Sequence, residues 1–357
     1  MINVTQPYLP NEEKYLSYVK GIFKSKWLTN NGLLVQELER RLAEHLGVRH
    51  LILVSSGSMA LQVSYRALDL TGEVITTPFT FVATANTLLW QNCNPVFSDI
   101  DSNTFNLDPN LIENKINERT TAIVPVHVFG NPCDVDKIAE ISKKNNLPVI
   151  YDASHAFGVN YKGRSLLNYG SISTLSFHAT KLFHTIEGGA IITSDDKLAF
   201  KIRKLINFGF EAKYNIKSEG INGKMNEFQA AMGLCLLDEL DIIRRERQAI
   251  WTYYMASLSG LVTFQYSSKN SNNNHSFVPV LFENEKTVEN VEKALNDKNI
   301  FPRRYFYPSL DCLEHMESIN AFPISRYIAS RILCLPIYPG LLKSEQDLII
   351  SIIKNCI

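Results

Sequence analysis

Short apolar runs alternate with amphipathic segments through the first half of the chain. The apolar runs have the length of buried strands, and the segments between them carry apolar residues at helical spacing. The predicted strands are 50–54, 74–77, 96–98, 122–127, 148–151, 172–177 and 190–193. The predicted helices are 11–26, 34–46, 81–91, 109–116, 134–144 and 197–208. This alternation predicts an α/β fold with a mostly parallel sheet wrapped by helices.

The pattern changes after residue 208. Residues 209–223 and 267–274 are predicted to be polar loops, and between them one long amphipathic helix runs from Phe228 into the charged run 244–247, which we interpret as a solvated face. Beyond the second loop, strands are predicted at 277–282, 302–307 and 332–335, with a helix at 286–298. We therefore expect a large domain over residues 1–240 and a small α+β domain over residues 241–357.

Polar residues follow several of the predicted strands. They occupy 56–58, 77–81, 127–130, 152–155 and 176–181. Because ligands of open α/β sheets bind at the carboxyl ends of the strands, we expect these five segments to converge on one cleft.

One lysine, Lys181, lies between two predicted core strands. A lysine in such a place is either a solvated surface charge or a reactive group, because burial lowers the pKa of an ammonium group toward the range where the amine is nucleophilic. The lysine alone does not decide between these two interpretations.

Two other strand ends narrow the choice. The segment 55–58, Ser-Ser-Gly-Ser, leads from a strand directly into a helix, which is typical either of a phosphate site or of an ordinary helix N-cap. Asp152 ends another strand and is either an N-cap or a carboxylate facing the ligand. With no glycine-rich nucleotide motif in the chain, an amine, a carboxylate, an aromatic ring and a phosphate cup together favour pyridoxal phosphate.

The composition excludes several classes of function. Thirty-six basic residues balance thirty-six acidic ones, so no overall charge attracts nucleic acid or a membrane surface. The N-terminal segment lacks the features of a signal peptide, and no apolar stretch is long enough to span a bilayer, so we expect a cytoplasmic protein. The six cysteines are scattered without CxxC pairs, and we expect neither a disulfide nor a metal site.

Seven segments resemble, in the same order, the DegT/DnrJ/EryC1/StrS family of pyridoxal phosphate-dependent sugar aminotransferases. They are 27–32, 55–61, 77–86, 152–156, 176–189, 220–231 and 335–340. The resemblance implies an aspartate aminotransferase-like fold of type I, with a mostly parallel seven-stranded sheet in the large domain and a smaller α+β C-terminal domain.

The resemblance also implies roles for particular residues. Lys181 would form the Schiff base with the cofactor, and Asp152 would pair with the ring nitrogen. His155 would lie beside the phenolic oxygen, where the family often has glutamine, and Phe81 would stack on the ring. The phosphate cup would consist of Gly57, Ser58, Met59 and Ser176. Asn222 would reach the phosphate of the neighbouring subunit, which implies a homodimer with shared active sites.

Substrate contacts are expected from two further regions. Arg303 and Arg304 beside Tyr305 are either surface residues or ligands of an anionic substrate. From the resemblance we expect substrate contacts from Trp27, Thr29, Asn30, Lys213, Arg303, Arg304 and Tyr305.

The activity implied is transfer of an amino group from L-glutamate to a nucleotide-linked keto sugar. Segments 220–229 and 301–308 are most similar to the subgroup that acts at C4 of dTDP-4-keto-6-deoxy-D-glucose, giving dTDP-4-amino-4,6-dideoxy-D-glucose (viosamine) for surface polysaccharide such as O-antigen. A 3-keto-sugar aminotransferase is the near alternative, and a non-catalytic regulatory module that binds the cofactor is a remote one. Relatives that are sugar dehydratases replace the lysine by histidine, whereas this chain keeps Lys181.

Overall fold

A computed structural model describes residues 1–316 and 321–357. The strands are β1 (Ile2–Asn3), β2 (His50–Val54), β3 (Glu73–Thr76), β4 (Asn94–Phe97), β5 (Thr120–Val124), β6 (Ile150–Asp152), β7 (Asn160–Tyr161), β8 (Arg164–Ser165), β9 (Ile172–Ser176), β10 (Gly189–Thr193), β11 (Phe210–Ala212), β12 (Asn215–Ile216), β13 (Thr263–Phe264), β14 (Pro279–Leu281), β15 (Ile300–Phe301) and β16 (Ile332–Cys334).

Helices surround these strands. They are α1 (Glu12–Ser25), α2 (Leu33–Leu46), α3 (Gly57–Ala67), α4 (Ala83–Trp90), α5 (Pro109–Ile112), α6 (Val135–Asn145), α7 (Asp196–Leu205), α8 (Glu227–Asp238), α9 (Leu240–Leu258), α10 (Glu285–Asn296), α11 (Pro323–Arg331) and α12 (Lys343–Cys356). Among the described residues, no helix is both long enough and apolar enough to cross a membrane.

The seven strands predicted in the first half of the chain are the strands that organise the fold. A four-stranded sheet has the order β2-β10-β9-β6, and a three-stranded sheet has the order β4-β3-β5. Parallel bridges from Ile123 to Val149 and from Val126 to Asp152 join β5 to β6 at the adjacent edges. Only β10 runs antiparallel to its neighbours in these two sheets. The predicted α/β class is thereby confirmed.

Alternate side chains of each buried strand enter different core layers, because successive residues of a strand point to opposite faces. In β2, Leu51 and Leu53 belong to the layer that includes Leu38 of α2. Ile52, between them in sequence, belongs to the layer that includes Ile202 of α7. Burial on both faces explains why these strands are continuous apolar runs.

The C-terminal part has its own apolar cluster. The antiparallel sheet β13-β14-β16 packs with α9, α10 and α12 around Val280, Leu333 and Ile349. The strand β1 pairs in parallel with β15, so Ile2 at the start of the chain lies in this cluster. The division of the chain at residues 240 and 241 stays a prediction.

Four local predictions were wrong. The single long helix is two helices, because α8 ends at Asp238 and α9 begins at Leu240 and continues to Leu258. Arg247 is 2% exposed rather than solvated, since its guanidinium turns inward and donates to the Ser276 carbonyl. The loop 209–223 contains the hairpin β11–β12. The strand predicted at 302–307 does not form there, because β15 covers only Ile300–Phe301.

Candidate active site

Lys181 lies in the turn that joins β9 to β10, at the carboxyl end of β9. The turn is closed at its base by the Phe177 N–H, which donates to the Gly188 carbonyl at 2.8 Å. Nearer the lysine, the Lys181 N–H donates to the His178 carbonyl at 2.9 Å, and the buried ring of Phe183 anchors the turn in the core. Burial lowers the pKa of the Lys181 amine to about 8, although the charge of Asp152 acts in the opposite direction. Roughly a tenth of the Lys181 side chains therefore carry a neutral, nucleophilic amine at pH 7, far more than at the ordinary pKa of lysine.

Asp152 ends β6 and is 5% exposed. One carboxylate oxygen accepts the Thr84 hydroxyl of α4 at 2.7 Å, and the other accepts the Ser154 N–H at 3.1 Å. The Thr84 hydroxyl also lies 3.0 Å from the Thr80 hydroxyl. These bonds fix the orientation of the carboxylate, which lies close enough to Lys181 to affect the pKa of the amine.

His155 is buried among aromatic rings. Its ring is nearly parallel to the rings of Phe129 and Phe306, with centroids 6.1 Å and 5.9 Å away, and it contacts Phe277 at 4.5 Å. This burial, and secondarily the charge of Lys181, hold the pKa of His155 well below its usual value, so the imidazole is neutral. Its Nδ1 atom accepts the Phe129 N–H at 3.2 Å, which assigns the proton to Nε2.

The first turn of α3 faces the end of β9. Gly57 begins the helix, after Ser56 caps it by accepting the Met59 N–H at 3.1 Å. A Cβ atom at Gly57 would lie 2.7 Å from the Ser176 Cβ, so only glycine permits this close approach. Helix N-termini with free N–H groups and nearby hydroxyls bind phosphate.

One cavity of about 270 Å³ brings most of the predicted site residues together. Those that line it are Gly57, Ser58, Phe81, Asp152, His155, Ser176, Lys181, Arg303 and Tyr305. Four of the five strand-end segments predicted to converge contribute to this cavity, whereas none of residues 127–130 lines it. Arg303 and Tyr305 are added from the C-terminal part.

The remaining predicted residues lie outside this cavity. The Met59 N–H is engaged by the helix cap, and the Arg304 guanidinium donates to Glu285 at 2.8 Å and to the Ser330 carbonyl at 2.7 Å. The Trp27 indole donates to the Thr29 carbonyl at 2.7 Å. Three further predicted residues also do not line the cavity, namely Asn30, Lys213 and Asn222. Asn30 lines a separate cavity of about 600 Å³.

Sequence reasoning missed several residues of the site. Thr84, which holds Asp152, lies within a helix and carries no local sequence signal. Asn274 ends the low-complexity loop, yet it is buried and donates to the His155 carbonyl at 2.8 Å. His178 and Glu187 also line the cavity, one before and one after Lys181 in sequence. Their location in the segment 176–189 that surrounds the lysine is the sequence feature that could have predicted them.

Comparison with known proteins places the chain among nucleotide-sugar enzymes. Residues 10–354 match the model of the DegT/DnrJ/EryC1/StrS aminotransferase family. A dTDP-4-amino-4,6-dideoxy-D-glucose transaminase of Shigella dysenteriae is 42% identical, covering 99% of this chain and 98% of the relative.

Solved structures agree with this placement. The crystal structure of DesI in the presence of its TDP-sugar product has a TM-score of 0.95 at 33% identity, over 99% of this chain and 92% of that one. The structure of ntda from Bacillus subtilis with bound cofactor pmp has a TM-score of 0.89 at 27% identity, over 96% of this chain and 81% of that one. The matching family model, which spans nearly the whole chain, and these relatives show that this chain is an enzyme belonging to the DegT/DnrJ/EryC1/StrS aminotransferase family.

Proposed function

We propose that this chain transfers the amino group of L-glutamate to C4 of dTDP-4-keto-6-deoxy-D-glucose. The product would be dTDP-4-amino-4,6-dideoxy-D-glucose, made in the cytoplasm for surface polysaccharide such as O-antigen. The observation that carries the proposal is the half-buried Lys181, whose amine has a pKa lowered by desolvation to about 8, in one cavity with Asp152 and the first turn of α3. The choice of sugar rests on the similarity to the transaminase of Shigella dysenteriae.

The residues present fit pyridoxal phosphate. The close approach of Gly57 to Ser176 leaves a cradle that a Cβ atom would fill, and its place at a helix N-terminus suits the phosphate. Lys181 would bind the aldehyde, and Asp152 would hold the proton on the ring nitrogen. When bound, this cofactor supplies an electron sink for the negative charge that develops at the carbon next to the amine.

Lys181 would carry out the proton transfers, and His155 would hold the ring of the cofactor by a hydrogen bond. The Lys181 Nζ atom, once released by the amino donor, would take the proton from the α carbon of L-glutamate. In the second half of the reaction the same atom would supply the proton at the sugar carbon that gains the amine. His155, neutral and protonated at Nε2, would donate a hydrogen bond to the phenolic oxygen of the ring, as glutamine does in many relatives.

A second copy of the chain is part of the proposal. Trp27, Thr29, Asn30, Lys213 and Asn222 do not line the cavity of their own chain. By the family resemblance, such side chains would reach a substrate or a phosphate in the site of a partner subunit. We therefore keep the homodimer with shared active sites, and these contacts, as predictions.

The test separates the two halves of the reaction. Purified protein loaded with pyridoxal phosphate should lose its visible absorbance when L-glutamate is added, as the cofactor takes up the amino group. Keto sugars linked to dTDP, carrying the carbonyl at C4 or at C3, should then be added separately, and NMR of the product would show which carbon has gained the amine. Amination at C3 alone would overturn the proposed sugar, and no loss of absorbance with glutamate would overturn the proposed donor.

The lysine has its own test in the same assay. Lys181→Ala removes the group that moves the proton, so turnover should fall by about 1000-fold or more. Lys201→Ala, on an exposed face of α7 where Lys201 pairs with Asp69, is the matched control and should retain wild-type turnover. Transamination by the Lys181→Ala protein at a rate within tenfold of wild type would contradict the role of the lysine.

A further inference from the structure

The turn that carries Lys181 also carries a histidine and a carboxylate that the proposed proton transfers do not use. His178, Thr180 and Glu187 line the same cavity as the lysine. The His178 Nδ1 atom lies 2.8 Å from the Thr180 hydroxyl and accepts the Thr180 N–H at 3.3 Å. Because a ring nitrogen that accepts an N–H carries no proton, the neutral imidazole is protonated at Nε2. That atom lies 3.6 Å from the Glu187 carboxylate, beyond hydrogen-bond distance but close enough for an electrostatic contact between the two side chains.

The backbone holds Glu187 in a defined position. Its carbonyl accepts the Thr185 hydroxyl at 2.8 Å and the Gln229 side-chain amide at 2.7 Å. The preceding residue, Ile186, has φ 70°, in the left-handed region where a β-branched residue is an outlier. Such conformations persist only where the surrounding structure holds them, and they cluster at ligand sites. The carboxylate is therefore presented to the cavity by a fixed backbone.

The charge of Glu187 restricts what it can face. The proposed ligands of the cavity carry negative charge on the phosphate of the cofactor, on both carboxylates of L-glutamate and on the diphosphate of the nucleotide sugar. A carboxylate beside any of these groups is repelled, whereas the hydroxyls of the hexose are neutral donors, and an ionised carboxylate is a pure acceptor. Arg303 also lines the cavity, and its guanidinium, which lies over the Tyr305 ring, suits the anionic groups better than a carboxylate does.

We propose that His178 and Glu187 form a subsite for the hexose ring, an inference that rests on the proposed function. In this subsite the Glu187 carboxylate accepts the hydroxyl next to the carbonyl carbon of the sugar, and His178 orients that carboxylate. The Lys181 N–H donates to the His178 carbonyl, so His178 lies within one turn of the chain from the reacting amine, and Glu187 lines the same cavity. Glu187 is thus a specificity-determining residue that contacts the substrate, and His178 is a positioning residue.

The experiment pairs a change in the enzyme with a change in the sugar. Wild type and Glu187→Gln, loaded with pyridoxamine phosphate, would be mixed with dTDP-4-keto-6-deoxy-D-glucose and with its 3-deoxy analogue, and kcat/KM for the sugar half of the reaction would be measured. For wild type, removal of the hydroxyl should lower kcat/KM by about tenfold to a hundredfold, the range for a hydrogen bond to a charged group. Glu187→Gln should lose a similar factor with the parent sugar and lose less than about threefold more with the analogue, because the partner of the hydroxyl is already gone.

Three comparisons keep the inference open to refutation. Glu44→Gln makes the same chemical change on the exposed face of α2, at a residue 77% exposed, and should match wild type with both sugars. His178→Gln should show a weaker form of the Glu187→Gln pattern, and the visible absorbance of bound pyridoxal phosphate together with the midpoint of thermal unfolding shows whether each variant keeps its fold and its cofactor site.

The outcomes distinguish the subsite from the proposed function. If Glu187→Gln discriminates between the two sugars as strongly as wild type does, the subsite is overturned while the function stands. If Glu187→Gln does not fold, His178→Gln decides in the same way. If wild type reacts with L-glutamate but aminates neither dTDP sugar, the proposed function fails, and the subsite for that sugar fails with it.

Discussion

Two regions of the cavity differ in how far the protein encloses their polar groups. The floor consists of Asp152 and His155, and the mouth consists of His178, Glu187 and Arg303. At the floor, both oxygens of Asp152 accept hydrogen bonds from the protein, and His155 packs against the rings of Phe129 and Phe306 with Nδ1 engaged. At the mouth, His178, Glu187 and Arg303 are exposed. Groups that are fixed before a ligand arrives suit a resident cofactor, whereas exposed groups suit substrates that enter and leave at every turnover.

Removing the negative charge of Asp152 at the floor should have the largest effect on the reaction rate. Asp152→Asn keeps the shape and an oxygen for the Thr84 hydroxyl, but it removes the negative charge that would keep the ring nitrogen protonated. We expect the rate of the glutamate half of the reaction to fall by about 100-fold to 1000-fold, the effect of losing a preorganised electrostatic partner. Stopped-flow absorbance of single turnovers would measure it, with saturating cofactor.

A milder change at the same place calibrates this effect. Thr84→Val removes only the hydroxyl that donates to Asp152 at 2.7 Å, and should slow the same half reaction by about tenfold. If Asp152→Asn were no slower than Thr84→Val, the charge of the carboxylate would not be what the floor contributes.

The floor was also the part of the site that the sequence predicted best. Asp152 directly follows one apolar run and Lys181 lies shortly after another, and such runs predict buried strands whose ends meet. Thr84 and Asn274 could not be predicted in this way, because each acts through a partner distant in sequence, and nothing local distinguishes a threonine in a helix or an asparagine in a polar loop.

The same limit explains the errors in the fold. Seven strands followed from hydrophobic patterning, but the break between α8 and α9 at Glu239 did not, since apolar residues continue at helical spacing on both sides of it. Arg247 was expected in solvent because arginine is rarely buried, and the Ser276 carbonyl that receives its guanidinium comes from another part of the chain.

A change at the mouth should affect substrate affinity and leave the cofactor in place. The guanidinium of Arg303 lies 4.7 Å from the Tyr305 ring centroid, exposed in the cavity. Arg303→Gln should raise KM for an anionic substrate, L-glutamate or the nucleotide sugar, by about tenfold to a hundredfold, because a charged hydrogen bond is lost. Initial rates at varied concentrations of each substrate would show which of them depends on Arg303.

The control for this change is Arg40→Gln, since Arg40 lies on the exposed face of α2 and pairs with Glu37 and Glu44. It should leave both KM values and the cofactor absorbance at wild-type levels. If Arg303→Gln lost the cofactor while KM for both substrates stayed unchanged, Arg303 would hold the cofactor rather than a substrate. The proposed division between a floor for the cofactor and a mouth for substrates would then be wrong.

The smallest expected effect concerns a buried histidine beneath the floor. His127 stacks on Tyr151, the neighbour of Asp152, with ring centroids 4.6 Å apart, and its Nδ1 accepts the Cys133 N–H at 3.1 Å. Burial lowers the pKa of His127 to about 3, so below its unfolded pKa the unfolded chain binds a proton that the folded chain does not. The free energy of unfolding should therefore fall with decreasing pH, and between pH 7.5 and pH 5.5 His127 alone should account for about 1.4 kcal/mol.

Urea unfolding at both pH values should show that His127→Gln loses less stability on acidification than wild type by this amount. An equal loss of unfolding free energy in the two proteins would mean that His127 is protonated in the folded protein over this pH range. The interior beneath the floor would then accommodate a charged imidazole, as the exposed mouth does.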